Sequence, residues 1–230
     1  MNPRIVHSLE PVLLVGGGKH RKMAFEHARS FVGKIVAADS GADWLVKHNI
    51  MPDRGIGDFD SISPAVQARL GPSRAFLVNE QDTTDFEKCL SRIEAPLVVG
   101  IGFAGGRVDH QLASYHGLMR HTRKRCILIG PQDLAFLAPP KLEIDLPEGT
   151  RFSLFPLGPV RARSKGLAWP VDAVDFAPGR EIGTSNEVSG PVELTCNAPA
   201  MLVILPVSAL AAVVAHLGGA DGLWPARKEA

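Results

Sequence analysis

The chain has 230 residues, room for one large domain or two small ones at roughly 100–200 residues each. Hydrophobic residues make up 45% and charged residues 21%, which excludes a disordered, collagen-like or coiled-coil chain. With 25 Lys plus Arg against 24 Asp plus Glu, the formal charge is +1; no global field draws the molecule onto nucleic acid or an acidic membrane, and any phosphate binding has to be local.

In chain order, the apolar run 11–15 closes on Gly16-Gly17-Gly18 and predicts a buried strand. Residues 20–31 carry Met23, Ala24, His27 and Phe31 at helical spacing. A second strand is expected at 34–38, and Ala42, Leu45 and Val46 mark another helix. Strands at 75–78, 97–101 and 126–129 follow, with helices near 83–94 and 109–122 between them. This rhythm predicts an α/β domain with a mostly parallel sheet over residues 1–138. Pro139-Pro140 then stops the pattern, and alternating runs at 141–146, 151–157, 192–196 and 201–205 predict an antiparallel β domain over 139–230. The apolar stretch 200–215 is broken by Pro206 and Ser208 and falls short of the ~20 residues of a membrane span, so it reads as a buried strand followed by a helix.

Cys89, Cys126 and Cys196 are odd in number and far apart, with no CxxC pair, which argues against a disulfide framework or structural zinc. Pro3, Arg4 and Glu10 stand where a secretory segment needs an apolar stretch. A cytoplasmic protein is expected.

Three clusters carry chemistry. In Gly57-Asp58-Phe59-Asp60-Ser61, two acids flank one aromatic; in an extended segment both point to one side. Ser63-Pro64 next marks a helix start. Gln81-Asp82-Thr83-Thr84-Asp85-Phe86-Glu87-Lys88 contains a Thr84-x-x-Glu87 capping box, with Phe86, Cys89, Leu90 and Ile93 on an apolar face and Asp85, Lys88 and Arg92 on another. Together the two clusters form a hard-oxygen site suited to Mg²⁺ shared with substrate phosphates; solvated surface acids and ordinary helix capping are the plainer readings. The third cluster, Gly102 to His110, offers close backbone approach at Gly105-Gly106 and a planar fork in Arg107, with Asp109 capping the helix, holding Arg107 or accepting a proton. The Gly16-Gly17-Gly18 turn and Ala38-Asp39-Ser40-Gly41-Ala42 also sit between strand and helix, where amides can meet an anion. The Gly16-Gly17-Gly18 turn is not a GxGxxG, and no GxxxxGK[ST] is present in the sequence.

These segments, in order, resemble the thiamine pyrophosphokinase family: Ala38 to Ala42, Gly57 to Ser61, Gln81 to Lys88, Gly105 to His110, and Gly183-Thr184-Ser185-Asn186-Glu187. The resemblance implies a three-layer α/β catalytic domain, a β-sandwich-like second domain and a homodimer with sites between subunits. It also implies Mg²⁺-dependent transfer of pyrophosphate from ATP to the thiamine hydroxyl, releasing AMP. Asp58, Asp60 and Asp85 are then the metal and catalytic carboxylates, with Asp109 also in the catalytic set. Gly17, Asp39, Ser40, Gln81, Thr84, Lys88 and Arg107 meet the nucleotide and its phosphates. Ser185 and Asn186 meet thiamine, with Trp169 where similar bacterial chains carry an aromatic, often Tyr; stacking on thiamine and plain packing are both open for it. The alternatives are a metal-dependent phosphohydrolase with water as acceptor, and a non-catalytic nucleotide sensor built on the glycine-rich turns.

Overall fold

The computed structural model describes residues 3–19, 22–219 and 222–225. The chain forms two compact units, Met1–Gly117 with Leu128–Pro131, and Leu118–Ile127 with Gln132–Ala230.

In the first unit the elements run β1 (Val6–His7), β2 (Val12–Val15), α1 (Lys22–Arg29), β3 (Lys34–Ala38), α2 (Gly41–Lys47), β4 (Arg54–Gly57), α3 (Pro64–Leu70), β5 (Ala75–Leu77), α4 (Asp85–Arg92), β6 (Ile93–Glu94), β7 (Val98–Ile101) and α5 (Val108–Arg120), whose last turn crosses into the second unit. Strand β8 (Cys126–Ile129) straddles the division as well. The main sheet is parallel throughout, ordered β7-β2-β3-β4-β5. Every residue of β2 and β7 is buried, as strands covered on both faces require. From β2 the chain winds outward through β3, β4 and β5, then returns to place β7 on the other side of β2. That reversal leaves a crevice beyond the carboxyl ends of β2 and β7, where doubly wound folds bind ligands.

Three local expectations are corrected. Helix α1 buries Phe25 and Ala28, while Met23 is 77% exposed; Phe25 packs 5.0 Å from the Trp44 ring, and burying that aromatic sets the helix phase. Residues 20 and 21 of the expected helix lie outside the described residues. Strand β4, Arg-Gly-Ile-Gly, was not foreseen, because its glycines weaken strand propensity and its pairing with β3 and β5 supplies what the local sequence lacks. Helix α4 buries Phe86, Cys89 and Leu90 as its pattern predicts, and Ile93, which starts β6, is buried too; yet Lys88 and Arg92 on the polar face are also buried, at 3% and 5% exposure.

The second unit contains β9 (Asp133–Leu137), β10 (Lys141–Ile144), β11 (Arg151–Pro156), β12 (Val160–Leu167), β13 (Asp175–Phe176), β14 (Gly183–Cys196), β15 (Met201–Pro206) and α6 (Leu210–Gly219). All its strand pairs are antiparallel, in the order β9-β15-β11-β14-β12-β13 with β10 also on β14. The fourteen-residue β14 is shared lengthwise: its first half pairs with β11 and its second with β10 and β12. Strand β10 alternates exposed and buried residues, so its outer face is solvated. The 200–215 stretch is a strand, one 3₁₀ turn and a helix, as expected. Among the described residues no helix is long and apolar enough to cross a membrane.

Candidate active site

The loops after β2, β3 and β7 meet at the crevice. The Gly16 amide donates to the Ile101 carbonyl at 2.8 Å and the Gly18 amide to Gly102 at 3.1 Å. Two of the three amides expected to receive an anion are therefore spent joining loops; the Gly17 amide has no acceptor among the described residues. A Cβ on Gly18 would lie 2.3 Å from the Gly102 oxygen, so the approach requires glycine. These loops floor a cavity of about 410 Å³, walled by Asp39, Ser40, Ser61, Thr84, Asp85, Phe86, Phe103, Arg107, His110 and Ser114.

Asp39 ends β3 with φ 44°, in the left-handed region, and its carbonyl accepts from Ala42 N–H at 3.0 Å to start α2. Ser40 occupies the N-cap without a side-chain cap bond. The Asp39 side chain is 3% exposed and its Oδ1 has no hydrogen-bond partner. Burial raises its pKa above the ordinary carboxylate value against a hydrogen bond from the Ser40 backbone, and the Asp85, Asp60 and Asp58 charges add to the rise.

Asp58 and Asp60 reach the site by a turn rather than by an extended segment. Phe59 has φ 60°, and the Asp60 amide donates to Asp58 Oδ1 at 3.5 Å. The turn still brings both acids together: one oxygen each from Asp39, Asp58 and Asp60 lie within 4.8 Å of one another. Asp85 stands outside this trio and is linked to it through Lys88, whose Nζ lies 2.5 Å from Asp58 Oδ2 and 3.2 Å from Asp85 Oδ1. Burial alone would lower the Lys88 pKa, but the two carboxylates outweigh it and leave the pKa raised. The Lys88 hydrogen bond in turn holds Asp58 below its ordinary value. Three convergent carboxylates, one with a buried unpartnered oxygen, fit a small hard cation.

Thr84 caps α4, its hydroxyl accepting from Glu87 N–H at 3.3 Å, which is half of the predicted capping box. Gln81 and Asp82 are exposed and do not line the cavity. Arg107, which lines the cavity, and Asp109 are both exposed and joined by a fork, Nη2 to Oδ2 at 2.6 Å and Nε to Oδ1 at 3.2 Å. That bond pulls Asp109 down to about 2, which suits a carboxylate that orients Arg107 better than one that accepts a proton near neutrality. Asp109 lies in the first turn of α5 rather than at its cap. Phe86 and Phe103, with rings 5.0 Å apart, supply an apolar wall that sequence reasoning did not assign to the site. The available signal was Phe103 itself, an aromatic set among glycines just beyond a buried strand.

In the second unit Ser185 has φ 63° and donates its amide to Ser153 Oγ at 3.0 Å. Asn186 is buried and its side chain is engaged: Oδ1 accepts from Trp169 N–H at 3.1 Å and Glu187 N–H at 2.8 Å, while Nδ2 donates to the Trp169 carbonyl at 2.7 Å. Trp169 is 61% exposed. The amide expected to meet a ligand therefore grips the backbone of a projecting aromatic.

Fold and site define a two-unit α/β protein with an acidic, glycine-floored cavity at a sheet switch point, followed by an antiparallel β unit. Residues 25–129 match the model of the thiamin pyrophosphokinase catalytic domain, and residues 141–201 match that of the thiamin pyrophosphokinase vitamin B1 binding domain. The chain belongs to the thiamine pyrophosphokinase family. It is 33% identical over 162 residues to thiamine pyrophosphokinase 1 of Oryza sativa subsp. japonica, covering 62% of this chain and 61% of that relative. It is 28% identical over 167 residues to thiamine pyrophosphokinase of Bacillus subtilis, covering 66% and 77%. The match thus spans about three fifths of the rice relative's length. The solved thiamin pyrophosphokinase from Candida albicans superposes with a TM-score of 0.73 at 18% identity, over 90% of this chain and 95% of that one, a likeness of fold.

Proposed function

We propose that the chain transfers pyrophosphate from ATP to the hydroxyl of thiamine, giving thiamine diphosphate and AMP, and that it works as a homodimer in the cytoplasm. The observation that carries this reading is the trio of Asp39, Asp58 and Asp60 oxygens beside the glycine-floored cavity, with Lys88 behind them. In this reading residues 1–138 take ATP, and residues 139–230 take thiamine and contribute the dimer contact.

Asp58, Asp60 and Asp85 would hold Mg²⁺ together with Asp39, whose unpartnered Oδ1 extends the set expected from sequence. When bound, the ion neutralises polyphosphate oxygens and fixes their alignment. The protein's own groups do the rest. Arg107, held by Asp109, and the Gly17 amide receive phosphate oxygens; Lys88 is poised beside them on the Asp58 and Asp85 carboxylates. Ser40, Gln81 and Thr84 contact the nucleotide. Ser185 and Trp169 receive thiamine, with Asn186 behind Trp169. The thiamine hydroxyl oxygen attacks the β-phosphorus and AMP leaves; no covalent protein intermediate is needed, since positioning and charge stabilisation are the main demands of phosphoryl chemistry.

The test incubates purified protein with ATP, Mg²⁺ and thiamine, identifies products by mass, and includes a control without thiamine. Thiamine diphosphate and AMP are expected only in the complete mixture. Inorganic phosphate released without thiamine would replace this reading with hydrolysis, and ATP binding without AMP would replace it with a sensor. Asp60→Asn should keep the fold, weaken the metal dependence and lower turnover by roughly 10²-fold or more.

A further inference from the structure

Arg92, on the last turn of α4, is buried although nothing in the proposed reaction uses it. Its guanidinium is a fork closed on one residue: Nη2 donates to Glu80 Oε2 at 3.0 Å and Nη1 to Glu80 Oε1 at 3.3 Å. Nη1 also donates to the Lys88 carbonyl at 3.0 Å and Ser91 Oγ at 3.1 Å. Glu80 in turn accepts from Thr83 Oγ1 at 2.6 Å. Burying a guanidinium is costly unless its hydrogen bonds are satisfied, and here the satisfying carboxylate comes from a loop rather than from the core.

That loop, residues 78–84, joins β5 to α4 and ends on Thr84, which lines the cavity. It is fastened at three points: Val78 N–H to the Gly57 carbonyl at 2.8 Å, Glu80 to Arg92, and Thr84 at the α4 cap. The first fastening lies next to Asp58 and the third next to Asp85. Between them the Glu80–Arg92 fork fixes the middle of the loop to the helix that carries Lys88.

We infer that Glu80 and Arg92 form a positioning clamp for the nucleotide site: the fork sets the path of residues 78–84 and so sets where Gln81, Thr84 and Asp85 meet Mg·ATP. Neither residue touches the reacting atoms. The inference rests on the ATP-dependent reading above and adds to it residues that act through the loop.

The experiment compares wild type, Arg92→Met, Arg92→Lys and Glu80→Gln by steady-state kinetics with ATP and thiamine varied separately. It adds hydrogen exchange over residues 78–84 and over β3 and β4, and Mg·ATP affinity by calorimetry. Arg92→Met should raise KM for Mg·ATP about tenfold, leave KM for thiamine unchanged, and speed exchange in 78–84 while β3 and β4 keep their protection. Arg92→Lys, which keeps the charge but loses the fork, should recover part of the effect. An active Arg92→Met enzyme with unchanged KM for Mg·ATP, or exchange rising equally through β3 and β4, would overturn the clamp. Should Arg92→Met fail to fold, Glu80→Gln decides by the same readouts, since its neutral amide keeps the loop's length and shape. If wild type forms no AMP, the catalytic reading falls. The clamp is then judged on calorimetry and exchange: weaker Mg·ATP binding with local loosening supports it, and unchanged binding ends it.

Discussion

The Lys88 ammonium lies 2.5 Å from Asp58 Oδ2, joining α4 to the turn after β4 across thirty residues of sequence. Lys88 is 3% exposed and also meets Asp85 at 3.2 Å, so one buried cation offsets carboxylates from two segments. Removing it leaves those acids facing Asp39 and Asp60 without that offset. Lys88→Met, which retains the aliphatic stem, is expected to cost about 3 kcal/mol in urea unfolding and to abolish AMP formation. Mg²⁺ should then restore more stability to the variant than it adds to wild type, because binding to the native state stabilises by mass action. A variant with wild-type stability and no added response to Mg²⁺ would show that the acids do not repel one another.

Asp39 illustrates the opposite exchange between stability and function. Its pKa is raised chiefly by burial and further by the Asp85, Asp60 and Asp58 charges, so the folded chain holds the Asp39 proton to higher pH than the unfolded chain does. The protonated side chain therefore favours folding below the unfolded pKa, and that contribution is lost as pH rises through the folded value. At neutral pH this raised pKa is a burden on the fold, and Asp39→Asn should raise the melting temperature by roughly 2–4 °C, equivalent to about 1 kcal/mol for a chain of this size. The gain should fade as pH falls into the acid range. The same variant should lose Mg²⁺-induced stabilisation and most turnover. Calorimetric scans with and without Mg²⁺, at neutral and acid pH, read all three effects.

The legible parts of this protein are those where local chemistry and fold agree. The uninterrupted apolar runs of β2, β3 and β7 announce strands buried on both faces, and Thr84-x-x-Glu87 announces the start of α4. Asp58 and Asp60 were readable as a pair, though by the wrong geometry: residue type fixes which groups are acidic, while the left-handed Phe59 that brings them together depends on the surrounding turn. Strand β4 was illegible because Arg-Gly-Ile-Gly acquires its conformation from neighbours on either side. The burial of Lys88 and Arg92 was equally hidden, since helical spacing assigns them to a polar face and only tertiary partners give their charges a reason to be inside.

Asn186 and Trp169 should separate in kinetics. Asn186 spends its whole amide on the Trp169 backbone and its own neighbour, whereas the Trp169 ring projects into solvent. Trp169→Ala is expected to change stability by no more than about 0.5 kcal/mol, as for an exposed substitution, and to raise KM for thiamine with KM for ATP unchanged. Asn186→Ala should raise KM for thiamine as well, but with a stability loss of about 1–3 kcal/mol because it strands the part-buried backbone polar groups that the side chain satisfies. Equal stability losses in both variants, or a shift in KM for ATP, would contradict the assignment.

Gly41 and Gly106 both stand at or just before the start of a helix, yet the backbone around them makes opposite demands. Gly41 opens α2 directly after Asp39 and Ser40, and a Cβ there would lie 2.0 Å from the Val15 carbonyl oxygen, a backbone atom of the central strand that cannot rotate away. Gly106 sits in the loop before α5, with nothing within 4 Å of its added Cβ and a φ outside the left-handed region. Relief of the first clash requires α2 to move off β2, and Asp39, whose carbonyl starts that helix, must move with it. Gly41→Ala should therefore cost about 1–3 kcal/mol and also weaken Mg²⁺-induced stabilisation, because Asp39 is drawn away from Asp58 and Asp60. Gly106→Ala should stay within about 0.5 kcal/mol of wild type and keep its response to Mg²⁺. Thermal unfolding of both variants with and without Mg²⁺ distinguishes a glycine required by backbone approach from one that merely lies in a loop; a Gly41→Ala protein with an intact Mg²⁺ response would mean that Asp39 does not depend on this packing.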